Sequence, residues 1–444
     1  GKDTGRSLYL WLKKLLYRAK HLASKCEGQK RILVTTFTAN LAADIRENLR
    51  KICTLEELRR IEVIHLDAWV NQFLRESGFS AQIGYDDVIN PLWEKAVLSA
   101  NIDLPFETSF YEEEWNRIAI AQEALTLEKY VRATRNGRGT RLDRKKRMQV
   151  WKVFENYQNL MKENQIRDIN TAMYESTKLL QSVGRKPRYA SIIIDEGQDF
   201  SDNAYRLIRA LAGEERPNDI FIVGDSHQRI YRNHPTLSKC GINVRGRSSI
   251  LKINYRTTEE IRKYAFALLN GISFDDLDEN SDLGDKCQSL THGEKPIVEN
   301  FENANDEFDF LLHEVKKLKE NGISLTDICV VARTKKLVDD YIALFTKAGI
   351  CAYVIKRNKV DDRSFDGLRV ATMHRVKGLE FKYVFIVAAN SRIIPLPSAI
   401  NKTDPVSEVE SVTSEKCLLY VAMTRAQKGV YITSYGRKSV FLKS

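Results

Sequence analysis

One apolar run near the middle of this 444-residue sequence is followed at once by carboxylates. The run is Ile192–Ile194, and the residues after it, Asp195–Asp199, read DEGQD. Three consecutive β-branched residues predict a strand buried on both faces, as in a parallel sheet covered by helices. Ligands bind beyond the carboxyl ends of such strands, so we expect Asp195 and Glu196 in a crevice. An acid pair there suits metal-assisted phosphoryl transfer, with one carboxylate on Mg²⁺ and the next orienting or deprotonating water. A solvated acidic turn is the alternative for an isolated Asp-Glu pair.

The first seven residues form a second candidate site, because they can be aligned with the end of the phosphate-binding pattern G-x-x-x-x-G-K-[ST]. Such a loop aims backbone N–H groups at phosphates and places a hydroxyl on Mg²⁺. Arg6 stands at the lysine position, and Asp3 stands where glycine is common. Arginine keeps the charge but not the compact shape of lysine, and an acid near phosphates is repulsive. The candidate nucleotide ligands are Gly1, Thr4, Gly5, Arg6 and Ser7, with Ser7 also a candidate metal ligand. The alternatives are an ordinary polar N-terminus or a truncated gene product, since no strand precedes the loop.

Other predicted strands also end in polar residues. The strand 32–38 leads into a helix at 40–53, and its threonines, Phe37 and Asn40 could contact a nucleic-acid backbone and stack a base. Turn formation and core packing explain the same residues equally well. Gln228 follows the strand 219–223 and could sense a γ-phosphate or a water. Arg256 follows the strand 250–253, where it could bind phosphate or form part of a capping turn.

A dense basic segment spans residues 130–147 and contains one acid, Asp143. Its density of positive charge could neutralise several phosphates and make binding depend steeply on salt. A solvated surface loop is the alternative. The segment's candidate DNA ligands are Arg135, Arg138 and Arg141.

Length and composition predict the wider organisation. A chain of 444 residues exceeds one hydrophobic core, so two to four domains are expected. The sequence contains no run of about 18 uncharged apolar residues, which argues against a membrane span. Seven scattered cysteines without a CxxC pattern predict the reducing cytoplasm and no structural zinc. The net charge of +11 fits a polyanionic partner or simply a well-solvated surface.

Strands and helices alternate twice along the chain, which predicts an α/β fold with two doubly wound parallel-sheet domains. We assign residues 1–76 with 189–250 to the first domain and 251–444 to the second. The polar, helical segment 77–188 is predicted to be a subdomain inserted in the first domain. Residues 391–415 are predicted to be a long polar loop, followed by a helix that delivers Arg425.

Six separated motifs together resemble the UvrD/Rep-like superfamily 1 DNA helicases, and the resemblance covers nearly the whole chain. They occur in the family's order: TTFTANLA (35–42), DEGQD (195–199), VGDSHQRIY (223–231), NYRT (254–257), TMHRVKGLEF (372–381) and YVAMTRA (420–426). The resemblance implies two RecA-like domains that ATP closes and hydrolysis reopens, and movement along single-stranded DNA, usually 3′ to 5′.

The resemblance also implies roles for individual residues. Asp195 would hold Mg²⁺, Glu196 would activate water, and Gln228 would couple the γ-phosphate to the DNA track. Arg256 and Arg425 would reach transition-state charge. Glu380 would touch the ribose, with Gly378 allowing close backbone approach. Positions near single-stranded DNA in relatives match Thr36, Phe37, Thr38, Asn40, His65, Tyr231, Thr372 and His374.

These observations predict an ATP-dependent, magnesium-using DNA helicase or translocase of DNA repair or recombination. We expect a cytoplasmic monomer that binds single-stranded DNA or its junction with duplex. About 115 residues separate Asn254 from Thr372, so the large insertion of the Rep type is expected to be missing or tiny. The altered phosphate loop leaves a second hypothesis, a DNA-binding relative or fragment without hydrolysis. A P-loop ATPase acting on RNA or protein is the third.

Overall fold

The computed structural model of this chain describes residues 10–29, 31–135, 138–182, 188–230, 235–249, 253–272, 274–275, 281–282, 287–356, 361–362, 364–402 and 405–442. The predicted nucleotide ligands of the N-terminal loop, Gly1, Thr4, Gly5, Arg6 and Ser7, lie outside the described residues, as does Tyr231. Every other candidate residue from the sequence lies within them.

The first sheet contains four parallel strands within the described part of the chain. In sheet order they are Ile61–Val63, Ile32–Thr35, Ser191–Ile194 and Ile220–Ile222. Every residue of Ser191–Ile194 is buried, as the β-branched run predicts. Helices cover both faces of the sheet in two hydrophobic clusters, one including Leu33 and Ile192, the other Val34 and Ile193. The carboxyl ends of these strands therefore open at one edge, where the DEGQD motif begins.

The first half of the chain contains the predicted helix 40–53, as Ala39–Ile52, among several others. Their bounds are Leu10–Lys25, Ala39–Ile52, Leu55–Arg60, Leu66–Glu76, Asp86–Ala100, Thr108–Glu114, Leu127–Arg132, Arg144–Glu163, Ile169–Ser182 and Asp202–Ala212. A π-helical turn, Trp115–Ile120, continues Thr108–Glu114. Single 3₁₀ turns occur at Gly197–Asp199, Ser226–Gln228 and Leu237–Cys240. The apolar residues at 63–67 also predict a strand there, which is wrong beyond Val63, because the strand is Ile61–Val63 and the helix begins at Leu66.

The segment predicted to be a helical insertion, residues 77–188, contains an aromatic cluster of its own. Trp93 stacks on Tyr157 with ring centroids 3.7 Å apart, and Trp115 meets Phe154 edge-on at 5.1 Å. A short parallel pair, Gln82–Gly84 with Ile166–Asp168, joins the two ends of the insertion, and the sequence did not predict it. The buried residues of this cluster lie between Ile89 and Met161, whereas Ala172 and Met173 of the same segment pack in the first sheet's cluster.

The second sheet contains six parallel strands among the described residues. In sheet order they are Ile297–Phe301, Ala426–Tyr435, Phe381–Ile386, Ile328–Ala332, Leu368–Thr372 and Ala352–Val354. Helices Glu259–Ala267, Ala304–Glu320, Lys335–Lys347 and Pro405–Met423 accompany it, with 3₁₀ turns Leu325–Asp327 and Pro397–Ala399. Short strand pairs join Ile253–Asn254 to Gln288–Ser289 and Phe274–Asp275 to Ser281–Asp282. Two parallel sheets flanked by helices confirm the predicted fold class.

The predicted loop at residues 391–415 is wrong over its second half, because the last long helix begins at Pro405. Glu415 on this helix is buried and bonds both of its oxygens to the Arg333 guanidinium, at 2.6 and 3.0 Å. A buried acid within the helix removes the apolar periodicity that predicts helices. Arg425 lies two residues beyond the helix end, not on the helix.

The two halves of the chain contact one another. Arg117 of the helical insertion donates to Glu410 at 2.8 Å, and the Asn401 amide donates to Glu113 at 3.1 Å. In the described part of the chain, no helix combines the length and the apolar character needed to span a membrane.

Candidate active site in the cleft between the two sheets

The DEGQD loop begins where strand Ser191–Ile194 ends. The backbone N–H of Asp195 donates to the Thr35 carbonyl of the neighbouring strand at 2.9 Å, which fixes the start of the loop. Glu196 has a left-handed backbone with φ of 53°, an uncommon conformation for a residue with a side chain. Such strain persists where surrounding contacts over-determine it, and it concentrates at functional sites. Asp195 and Glu196 are 1% and 7% exposed, so both carboxylates lie within the protein.

The Asp195 carboxylate has the environment of a cation ligand. Its Oδ2 atom is buried and has no hydrogen-bond partner among the described residues. Burial, followed by repulsion from Glu196, raises the pKa of Asp195 well above its usual value. A divalent cation would relieve both effects. The described residues contain no cluster of three or more metal-binding side chains, which suits Mg²⁺, since Mg²⁺ is usually held by one or two carboxylates, phosphates and water.

The Gln228 side chain links the two halves of the cleft. Its Nε2 donates to Asp225 Oδ2 at 2.8 Å, and its Oε1 accepts from Arg425 Nη2 at 2.6 Å. Asp225 also accepts from the backbone N–H of His227 at 3.0 Å. Burial opposes ionisation of Asp225, but hydrogen bonds from His227 and Gln228 outweigh it and lower its pKa. Gln228 therefore lies between an ionised acid of the first half and an arginine of the second.

The two predicted arginines are buried and close enough to repel one another. Arg256 is 9% exposed and Arg425 is fully buried. Burial, followed by the charge of Arg256, lowers the pKa of Arg425 to about 9, so Arg425 stays charged at neutral pH. Burial likewise lowers the pKa of Arg256. Within the described residues, Nη1 of Arg425 is buried without a hydrogen-bond partner. A buried guanidinium group with an unpartnered nitrogen, as in Arg425, favours binding of an anion in the cleft.

Glu380 and Gly378 lie in the same cleft. Glu380 Oε1 is 3.7 Å from Arg256 Nε, and its Oε2 accepts from Gln427 at 2.9 Å. Burial raises the pKa of Glu380 to about 8, against the opposing effects of Gln427 and Arg425. Gly378 has φ of 81°, and a Cβ atom there would lie 3.6 Å from Leu41 of the first half. Glycine therefore suits both the backbone conformation and the close approach of the two halves.

Three residues of this cleft were not singled out from the sequence. Gln198 donates to Glu196 Oε2 at 2.5 Å and accepts from the backbone N–H of Asp225 at 3.0 Å. Asp199 is fully buried and forms an ion pair with Lys377. All three belong to recognised motifs, Gln198 and Asp199 to DEGQD and Lys377 to TMHRVKGLEF. Their partners are distant in sequence, so spacing could not reveal them.

The predicted DNA-contacting residues of the first half surround the start of helix Ala39–Ile52. Thr36 is fully buried, and its hydroxyl has no partner among the described residues. Thr38 caps the helix by accepting from the Leu41 N–H at 3.3 Å, which is the turn role considered from sequence. Phe37 contacts Phe200 edge-on at 6.1 Å. Asn40 is half-buried at the first turn. The structure therefore places these residues together, with Thr36 inside the protein.

The remaining predicted DNA ligands near the cleft are half-buried. His65 precedes the helix Leu66–Glu76, and burial lowers its pKa. Thr372 ends a strand of the second sheet, and His374 follows it. Burial, then the charge of Arg333, lowers the pKa of His374 to about 4. Both histidines are therefore neutral at pH 7 and would offer hydrogen bonds rather than charge.

The structure corrects the prediction for two arginines of the basic segment. The Arg135 and Arg138 side chains are 7% and 2% exposed and both bind Glu114, which is fully buried. Arg138 also donates to Glu113 at 2.5 Å and lies over the Phe110 ring. Their guanidinium groups therefore hold the helical insertion together and do not face DNA. Glu113 and Glu114, which lie more than twenty residues earlier in the sequence, therefore pair with arginines that the sequence predicted to bind phosphates.

Arg141 remains exposed in the basic segment. Its exposed basic neighbours at the start of helix Arg144–Glu163 are Arg144, Lys145 and Lys146. These four residues form the exposed basic cluster.

Comparison with protein families identifies both halves of the chain. The model of the UvrD/REP helicase N-terminal domain matches residues 13–234. The model of the UvrD-like helicase C-terminal domain matches residues 250–365 and 356–437. Together the two matches include every cleft residue described above.

Curated relatives agree with these matches. A probable DNA helicase of Mycoplasma pneumoniae is 23% identical over 92% of this chain and 75% of its own length. A probable DNA helicase II homolog of the same organism is 22% identical, over 74% of this chain and 48% of its own length. The ATP-dependent DNA helicase PcrA of Leuconostoc citreum is 24% identical, over 68% of this chain and 41% of its own length. The chain thus spans about half the length of most of these relatives. It belongs to the UvrD/Rep helicase family, which confirms the predicted family.

Proposed function

We propose that this chain hydrolyses ATP and uses the cycle to move along single-stranded DNA. The observation that carries the proposal is the contact between Gln228 and Arg425, which joins the two halves beside the Asp195–Glu196 carboxylates. A nucleotide bound in this cleft would touch groups from both sheets. Closure of the cleft and hydrolysis would therefore be linked.

The residue roles in hydrolysis follow from the charges in the cleft. Asp195 would hold Mg²⁺, which would supply positive charge against the phosphates when bound. Glu196 would accept a proton from the attacking water. Arg256 and Arg425 would stabilise charge on the phosphoryl oxygens, where their mutual repulsion favours an anion between them. Glu380 and Gly378 would lie near the ribose, and the N-terminal loop, including Arg6 and Ser7, would hold the phosphates.

The exposed basic cluster and the cleft edge would hold the DNA. Single-stranded DNA would contact the cleft edge, formed by Phe37, Thr38, Asn40, Thr372 and His374. The basic cluster that includes Arg141 would contact phosphates of the duplex, where the single strand joins it. Thr36 would take part only if the cleft opens. We propose 3′ to 5′ movement by a cytoplasmic monomer in DNA repair or recombination. The proposed domains are a first domain of residues 1–76 and 189–250, a helical insertion of residues 77–188 and a second domain of residues 251–444.

The test is DNA-stimulated phosphate release by Arg425→Ala, beside Arg437→Ala as a matched control. Arg437 is exposed on the second half and away from the cleft. Arginines at this step can contribute about 10³ to 10⁵ in rate. We expect Arg425→Ala to lose at least about 10³-fold in kcat and Arg437→Ala to keep the unaltered rate. Equal rates in the two variants would contradict the assignment of Arg425.

A further inference from the structure

Lys377 belongs to the second half of the chain but ends among acceptors of the first half. In the sequence, Lys377 follows strand Leu368–Thr372 and precedes strand Phe381–Ile386, and its side chain is 4% exposed. Its ammonium group pairs with the Asp199 carboxylate and donates to the Gln228 backbone carbonyl at 2.7 Å. It also lies 3.8 Å from Glu196 Oε2. One buried cation thus lies beside two separate parts of the opposite half, the DEGQD loop and the turn at Gln228.

The surroundings of Lys377 explain why it can be buried. A lysine is almost never fully buried unless it is paired, because removing its charge from water is costly. Asp199, its ion-pair partner, is fully buried. The pairing exists only while the two halves are in contact. Opening the cleft would leave a buried acid on one side without the lysine that now lies beside it.

Two side chains, Gln198 and Lys377, lie beside the same oxygen of the Glu196 carboxylate. Gln198 donates to Oε2 of Glu196 at 2.5 Å, and Lys377 approaches the same oxygen. This leaves Oε1 as the oxygen that can accept a proton from water. The strained backbone of Glu196 does not by itself hold one orientation, so the side-chain contacts decide it. Withdrawal of Lys377 would therefore loosen Glu196 and the Gln228 turn together.

The residue after Lys377 supports the same interpretation. Gly378 approaches Leu41 closely enough that an added Cβ atom would touch it at 3.6 Å. Leu41 lies on helix Ala39–Ile52, which follows the first sheet's strand Ile32–Thr35. Gly378 thus packs on a helix of the first half, whereas Lys377 contacts its loops.

We propose that Lys377 is an interdomain positioning residue, which makes the orientation of the Glu196 carboxylate depend on closure of the cleft. This inference rests on the proposed function. Lys377 is not expected to touch the reacting atoms, because its ammonium group is held by Asp199 and Gln228. It would allow rapid hydrolysis only when both halves are together.

The first experiment measures DNA-stimulated hydrolysis by Lys377→Met, which keeps the length of the side chain and removes the charge. Lys382→Met is the matched control, because Lys382 pairs with Asp327 at 2.7 Å within the second half. A misplacement of about 1 Å can cost about 100-fold in rate, so we expect kcat to fall at least about tenfold. The KM for ATP and the affinity for DNA should stay within about twofold, because neither ligand is expected to contact Lys377. An unchanged kcat would overturn the proposal.

A double-mutant cycle with Asp199→Asn separates positioning from simple damage. If Lys377 and Asp199 act as a pair, the double variant should be no slower than Lys377→Met alone. Lys377→Arg should recover part of the rate, since it restores the charge. Strictly multiplicative losses in the double variant, or no recovery with arginine, would contradict the inference.

A structural measurement keeps the inference testable if the unaltered chain hydrolyses no ATP. That result would refute the proposed function alone. Small-angle X-ray scattering of the nucleotide-free protein then decides about Lys377. We expect a larger radius of gyration for Lys377→Met than for the unaltered chain or Lys382→Met. Identical scattering from all three would show that Lys377 does not hold the halves together.

Discussion

Removal of the Arg138 guanidinium should destabilise the helical insertion without weakening its electrostatic attraction to DNA. The Arg138→Ala change removes the hydrogen bonds to Glu113 at 2.5 Å, Glu114 at 3.1 Å and the Phe110 carbonyl at 3.3 Å. Breaking a buried ion pair costs about 3 to 5 kcal/mol. Glu114 keeps Arg135 as a partner, so we expect the lower end, about 3 kcal/mol. For a cooperative unit of roughly 150 to 250 residues, this lowers Tm by about 6 to 12 °C.

Thermal unfolding and salt-dependent DNA binding measure the two effects separately. The control is Lys145→Ala with Lys146→Ala, since both lysines are exposed at the start of helix Arg144–Glu163. These surface changes should alter stability by less than about 0.5 kcal/mol. They should reduce the salt slope of binding to a junction of single strand and duplex by about 0.9 for each duplex phosphate that is no longer neutralised. A normal Tm for Arg138→Ala together with a reduced salt slope would refute the buried role of Arg138.

Two further predictions concern pH and direction. The pKa of His374 is lowered to about 4 in the folded protein, so folding favours the neutral imidazole. The resulting stability is fully present above about pH 6.5, the unfolded pKa, and is lost as the pH falls toward 4. At pH 5 the loss in the free energy of unfolding is at most about 2 kcal/mol. The Tm of the unaltered chain should therefore fall more between about pH 7 and pH 5 than that of His374→Gln, and equal falls would contradict the assignment. Movement from 3′ to 5′ should displace streptavidin from a biotin at the 5′ end of single-stranded DNA; preferential displacement from the 3′ end would reverse the direction.

Elements with strong local patterns were predictable from the sequence. The sequence predicts a strand at 352–354, which the structure has as Ala352–Val354, and a helix at 336–348, which the structure has one residue earlier as Lys335–Lys347. Continuous β-branched runs and regular apolar spacing depend only on neighbouring residues, so they survive without tertiary information. The start of the helix Pro405–Met423 was not predictable in this way, because buried polar residues such as Glu415 interrupt its pattern.

Candidate residues within motifs could be named from the sequence, but their partners could not. Arg425 was recognised from its motif, whereas its hydrogen bond to Gln228 joins residues 197 positions apart. The same limit applies to Lys377, whose acceptors belong to the opposite half of the chain. Arg138 shows the converse error, since a dense basic run does not reveal the acids that the fold brings against it. Charge in a sequence predicts attraction to a polyanion only where the charge remains on the surface.

Phosphate release from ATP, with and without single-stranded DNA, tests the central claim most directly. The unaltered chain should hydrolyse ATP faster with DNA, and Glu196→Gln should abolish the activity while single-stranded DNA still binds. Loss of activity with retained binding would follow because the amide cannot accept the water's proton. DNA binding by the unaltered chain without any ATP hydrolysis, or full hydrolysis by Glu196→Gln, would contradict the account.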